Sequence, residues 1–152
     1  MGPIYVVKNS AFAATTGAKT VLKIISTTGF HIKVHEIALF TDGVTSSAVP
    51  ATWDLFTSDE TTAGTSTSVT PVQIAGRAQA HGTTCGSNFT AEGTTYTVVK
   101  SGYVPQFMGS LIIPNPLGLE ENSPSDAADS IGLRINVTAN VNVLAWIKFA
   151  HG

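Results

Sequence analysis

Short runs of β-branched and aromatic residues recur along the whole chain, each closed by a cluster of Gly, Pro, Asn, Asp or Ser. That punctuation leaves few architectures open, because it is the pattern of a β-sandwich or barrel. Windows that repeat at 3.6 residues are scarce, and Thr, Val and Gly, all poor helix formers, dominate. The predicted strands are Ile4 to Lys8, Thr20 to Thr27, His31 to Phe40, Thr52 to Thr57, Thr70 to Ile74, Ser87 to Ala91, Thr95 to Ser101, Gln106 to Ile113, Gly132 to Ala139 and Asn142 to Ala150. The fold class is therefore all-β, with about eight to ten antiparallel strands. Two single helical turns are predicted as loop decorations. One covers Ala75 to Ala80, and the other starts at Ser123-Pro124-Ser125-Asp126, where Ser caps and Pro takes the first helical position.

Side-chain alternation assigns faces. Ile32, Val34, Ala38 and Phe40 share one face of their strand, and His31, Lys33 and His35 the other. Glu36, Ile37 and Leu39 break that rule, which predicts a far end covered on both sides. Near the C-terminus Leu133, Ile135 and Val137 form one stripe, and Val143, Ala145, Ile147 and Phe149 a second. The turn residues around Asn140 predict a hairpin between these two runs. Leu144 and Trp146 point away from the second stripe, so that strand needs a covering loop or a neighbouring subunit. Residues 1–18 read as an N-terminal arm or an edge strand.

A chain of 152 residues is one ordinary domain and buries roughly two thirds of its extended surface without staples. Eight basic and ten acidic side chains leave a formal charge of −2, which gives no footprint for a phosphate backbone or an anionic membrane. Charged residues make up 12% of the chain, about half the usual ~25%, and threonine and serine replace them. Large neutral surfaces result, and these suit packing against other protein. No apolar run approaches the ~18 residues needed to span a bilayer, and no basic segment followed by an apolar stretch opens the chain.

No pattern carries recognisable catalysis, and the chain is expected not to be an enzyme. Cys85 is the only cysteine, so no intrachain disulfide forms; it sits in the loop-like run Gly82-Thr83-Thr84-Cys85-Gly86-Ser87 without a basic neighbour to activate it. His81 lies four residues earlier, which is weak evidence for a nucleophile. His31 and His35 share a strand face roughly 13 Å apart, too far to chelate one ion. Glu120, Glu121, Asp126 and Asp129 form an acidic loop without the ligand spacing of a calcium-binding EF-hand. There is no phosphate-cradling or dinucleotide fingerprint. Asn88-Phe89-Thr90 and Asn136-Val137-Thr138 match the glycosylation sequon, and read as chance matches. No cofactor or metal is expected.

Three stretches carry a resemblance: Val34-His35-Glu36-Ile37-Ala38-Leu39-Phe40-Thr41-Asp42-Gly43; Thr61-Thr62-Ala63-Gly64-Thr65 leading to Val69-Thr70-Pro71-Val72; and Gly132-Leu133-Arg134-Ile135-Asn136-Val137-Thr138 leading to Ala145-Trp146-Ile147. Together they resemble small head-decoration, or cement, proteins encoded among the structural genes of tailed bacteriophages. The similarity runs over residues 20–149. It implies a single jelly-roll domain over residues 1–152, acting as a structural virion protein on the outer capsid surface after synthesis in the host cytoplasm. The implied partners are further copies of the chain, as a homotrimer, and the major capsid protein. The family commonly has a Pro-Gly-Gly-Gly-like turn before its Leu-Gly-Leu-Arg strand, whereas Asp126-Ala127-Ala128-Asp129-Ser130 precedes Ile131-Gly132-Leu133-Arg134 here.

The residues expected at an assembly interface are apolar ones without an evident role inside the domain. They are Ile4, Tyr5 and Val6 in the arm, Tyr103 and Phe107 in a Pro-containing connection, and Trp146. The alternative function is a carbohydrate- or receptor-binding jelly-roll module of a phage fibre or tail.

Overall fold

β-branched residues at alternate positions build a protein made of strands. The structure, a computed structural model, describes residues 2–15, 17–26, 31–44, 49–58, 64–116, 121–122 and 130–151. The strands are β1 (Ile4–Lys8), β2 (Phe12–Ala14), β3 (Gly17–Ser26), β4 (Ile32–Thr41), β5 (Ala51–Ser58), β6 (Thr65–Val69), β7 (Val72–Ala75), β8 (Thr83–Ala91), β9 (Thr97–Val104), β10 (Ser110–Pro114), β11 (Glu121–Asn122), β12 (Ser130–Val137) and β13 (Val141–His151). No described residue is helical. The first sheet has the order β10-β4-β13-β1-β7, with β11 also on β4 and β2 also on β13. The second has the order β6-β8-β3-β12-β5-β9, and all strand pairs in both sheets are antiparallel.

The two sheets form a β-sandwich around one core. From the first come Val7, Ile32, Val34, Ile37, Leu39, Val143, Ile147 and Phe149; from the second come Leu22, Ile24, Trp53, Leu55, Ile131, Leu133 and Ile135. Each of these large side chains contributes about 1.5–3 kcal/mol by leaving water. Leu133, Ile135 and Val137, and Val143, Ala145, Ile147 and Phe149, are all buried, as their alternation predicts.

The predicted C-terminal hairpin is not one. β12 pairs with β3 and β5, whereas β13 pairs with β1, β2 and β4, so Thr138, Ala139 and Asn140 carry the chain from one sheet to the other. Buried Gln106 fixes this arch: its Oε1 accepts from the backbone N–H groups of Thr138 and Ala139, and its Nε2 donates to Thr138 Oγ1 and Val49 O. A hairpin and an arch place the same apolar stripes inward, so alternation alone cannot separate them.

Within the N-terminal segment β1 is not an edge strand, because it lies between β13 and β7, whereas β2 pairs with β13 alone. The break between β1 and β2 is bridged by buried Asn9. Its backbone N–H donates to Ala145 O, its Oδ1 accepts from Ala145 N, and its Nδ2 donates to Val143 O. The side chain thus stands in for ladder bonds that a continuous strand would make.

Three strands were not predicted: β2, β6 and the short β11. Every β6 residue is at least partly solvated, so its sequence lacks the apolar alternation that marks a half-buried strand. The predicted turn of helix over Ala75 to Ala80 is instead an irregular loop, because Gln73 takes its backbone groups. Gln73 Nε2 donates to the carbonyls of Ala75, Gly76 and Arg77, and its Oε1 accepts from Gln79 N. Gly76, at φ 88°, occupies a conformation that helices exclude. The predicted turn at 123–126 lies outside the described residues, as do the acidic side chains of Glu120, Glu121, Asp126 and Asp129.

Candidate functional site

The broken alternation in β4 has a local cause. β13 pairs Lys148 with Glu36 and then Phe149 with Val34, leaving His35 as the extra residue of a β-bulge. Asn115 satisfies this bulge: its backbone N–H donates to His35 O at 2.7 Å and its Nδ2 donates to Val34 O at 2.8 Å. Past the bulge the faces exchange, so Ile37 and Leu39 join Ile32 and Val34 in the core, and Glu36, Ala38 and Phe40 turn outward. The sequence suggests a far end of β4 covered on both faces; on the second face Ala38 is buried, while Glu36 and Phe40 are only half-buried. This end contributes to a sheet surface.

That outer surface is built in cross-strand rows. Ser110, Phe40 and Leu144 form one row, and Ile112, Ala38, Trp146 and Lys8 the next. Pro114, Glu36, Lys148, Val6 and Val72 form the third. Phe40 and Trp146 pack at 5.0 Å between ring centroids and cover Ala38 completely. Leu144 is 49% exposed, and Ile112, Val72 and Ile74 are also exposed. Two depressions of about 410 and 220 Å³ meet at Phe40 and Leu144, one reaching Ala11 and the other running past Trp146 to Lys8 and Asn9.

One ion pair borders this apolar strip. Lys148 Nζ lies 2.7 Å from Glu36 Oε1, which also accepts the Trp146 indole N–H at 3.1 Å. Burial pushes the Glu36 carboxyl up, but the hydrogen bonds from Lys148 and Trp146 and the Lys148 charge outweigh it and hold the group below the usual carboxylate range. The carboxylate thereby fixes the indole against Phe40.

The second sheet treats its outer face differently. Arg134 is buried there, with Nη2 2.9 Å from Asp54 Oδ2 and its guanidinium 3.8 Å from the Tyr96 ring centroid and 5.8 Å from that of Phe56. Burial pulls the guanidinium pKa down, and Asp54 and Tyr96 more than restore it. Phe56 lies across its register partner Gly132, where a Cβ would stand 2.6 Å from Phe56 Cζ and 2.9 Å from Leu22 O. Here the outward aromatic is sealed by charge.

Of the residues expected at an interface, Ile4, Val6 and Trp146 share the outer face of the first sheet. Tyr5 does not: it is 1% exposed, stacks against Phe149 at 5.6 Å, and donates its hydroxyl proton to Gln79 O. It faces the core because it immediately precedes Val6 in a regular strand. Tyr103 lies on β9, at the edge of the second sheet. Phe107 bridges Gly43 at one end of the sandwich, beside exposed Met108 and Val44. Leu144 turns away from the second stripe, as its alternation predicts, whereas Phe40 and Ile112 also belong to the surface and were not singled out for it; for Phe40 the signal was the phase slip at His35.

Cys85 is a buried residue of β8 rather than part of a loop. Burial raises its thiol pKa to about 11, against a smaller opposing effect of Thr83, so the thiolate population near neutral pH is negligible. His81 Nδ1 contacts Thr83 Oγ1 at 3.0 Å. No group of three or more His, Cys, Asp or Glu side chains among the described residues is arranged to hold a metal ion. Comparison with known proteins finds no family model, no curated protein and no solved structure that matches the chain.

Proposed function

We propose that this protein is a structural assembly module that works through the outer face of its first sheet, in the manner of a decoration protein on the head of a tailed bacteriophage. The single observation that carries the reading is the strip of Phe40, Leu144 and Trp146 over β4 and β13, continued by Ile112 on one side and Val6 and Val72 on the other. Apolar strips with a polar or ionic rim bury well against protein. The strip suits contact with further copies of the chain, as a homotrimer, and with a capsid shell beneath. Copies arrayed on a repeating shell gain from avidity, so modest contacts suffice.

The strand order supports reading the sandwich as a jelly roll. β1, β13, β4 and β10 interleave in one sheet and β3, β12, β5 and β9 in the other, with β6, β7 and β8 inserted between β5 and β9. A sandwich of this kind needs no active site to do its work, and the role is structural rather than catalytic. The virion surface is the place that this role implies.

Sedimentation velocity on the purified chain tests the reading. The expected result is a homo-oligomer that Phe40→Ser with Leu144→Asp converts to a folded monomer. A wild-type monomer at the highest attainable concentration, with no binding to phage heads lacking decoration, contradicts it.

A further inference from the structure

The outer face of β5 and β9, on the opposite sheet from the assembly strip, carries a second constellation. Thr52 pairs with Tyr103 and Asp54 with Ser101, so these four side chains form a block on one face of the sandwich edge. They surround a shallow depression of about 340 Å³, with Gly102 between Ser101 and Tyr103. Tyr103 is 73% exposed. No described residue hydrogen-bonds the hydroxyls of Thr52, Ser101 or Tyr103.

The block is held from behind. Arg134 pairs with Asp54 in register and grips its Oδ2 at 2.9 Å, leaving Oδ1 without a protein partner among the described residues. Inward-facing Trp53 packs against Gly102, where a Cβ would stand 2.9 Å from its Nε1, so the backbone beneath the depression cannot shift easily. Exposed Asn136 extends the polar row beyond Thr52.

We infer that this block binds a neutral hexopyranose unit of an oligosaccharide. The chemistry matches on each side. A pyranose ring has an apolar C–H face that lies on an aromatic ring, here Tyr103, and a rim of hydroxyls that are both donors and acceptors. A pre-positioned carboxylate oxygen accepts from hydroxyls, and Thr52 and Ser101 supply groups able to donate or accept. Asp54 disfavours sugars that carry a carboxylate or sulfate. Arg134 is committed to Asp54 and Tyr96 and offers no free cation for a phosphate. The inference is independent of the assembly reading, because the two surfaces lie on opposite sheets.

Nitrogen–proton correlation spectra recorded with cellohexaose, maltohexaose and β-1,4-galactotetraose test it. At least one of the three is expected to shift the amides of residues 52–54 and 101–103 with a dissociation constant of about 1 mM or tighter. Tyr103→Ala, at an exposed position, is expected to keep the wild-type melting temperature and lose at least about tenfold in affinity, whereas Tyr103→Phe retains the stacking and most of the binding. Leu144→Asp leaves binding unchanged. The inference is overturned if none of the three sugars perturbs the spectrum at 10-fold above that concentration, if the shifts map elsewhere, or if Tyr103→Ala binds as well as wild type.

Discussion

The two sheets present the same kind of face to the core, but β5 and β12 of the second treat their outward aromatic differently from β4 and β13 of the first. On the second sheet the outward aromatic Phe56 is closed over by Arg134 and Tyr96, with Asp54 neutralising the guanidinium. On the first sheet the outward aromatics Phe40 and Trp146 cover only Ala38, and Leu144, Ile112 and Val72 stay in contact with solvent. A chain with few charges has spent one of its eight basic residues on sealing one face. The contrast holds for these inner strands, since Val98 and Tyr103 on β9 stay exposed at the edge of the second sheet, and it marks the face of β4 and β13 as the place to look for a partner.

Breaking the seal should have the largest effect on stability. Arg134→Ala removes the ion pair and uncovers Phe56, and a loss of about 3 kcal/mol is expected in urea unfolding. A loss below ~1 kcal/mol would mean that the charge cluster is not what closes this face. Trp146→Ala on the opposite face takes away a half-buried ring and its contact with Phe40, and about 1.5 kcal/mol is expected by the same measurement.

Leu144→Asp sharpens the contrast further. The side chain has solvent around it already, so monomer stability should change by less than ~0.5 kcal/mol, while self-association is lost. A drop in unfolding midpoint without a change in oligomeric state would reverse the assignment of Leu144.

The smallest effect concerns acid. The Glu36 carboxyl titrates lower in the folded protein than in the unfolded chain, where the group sits near ~4.3. Its contribution is therefore complete above that value and is lost as pH falls through the folded pKa. Trp146 fluorescence should change over that acidic range, and Glu36→Gln should flatten the change with little effect at pH 7.

How much of this was legible in the sequence depends on whether each feature is local. β1 could be bounded at Ile4 and Lys8 because Ile4, Tyr5, Val6 and Val7 are β-branched or aromatic and Pro3 precedes them. The outward turn of Leu144 and Trp146 followed from the alternation along their strand. Phe40 was placed on the wrong face because the bulge at His35 inserts one residue, and a one-residue slip exchanges every later side chain. The β12–β13 arch depends on Gln106, 32 positions before Thr138, and no local pattern carries such a contact. The Arg134, Asp54, Tyr96 and Phe56 cluster joins separate segments and was equally invisible. β6 failed for the opposite reason: its Thr and Ser side chains are solvated throughout, so strand and loop look alike.

The single native cysteine gives the most direct test of the central claim that the first sheet's outer face is the working surface. Cys85 is buried, with its thiol pKa at about 11, so a cysteine placed elsewhere reports alone. Leu144→Cys and Ser101→Cys put one thiol on the outer face of each sheet, and their reaction rates with a maleimide can be compared in dilute and concentrated protein. The account predicts that concentration protects the thiol at position 144 and leaves the one at 101 reactive. Equal reactivity of the two at all concentrations, or protection at 101 alone, would contradict it.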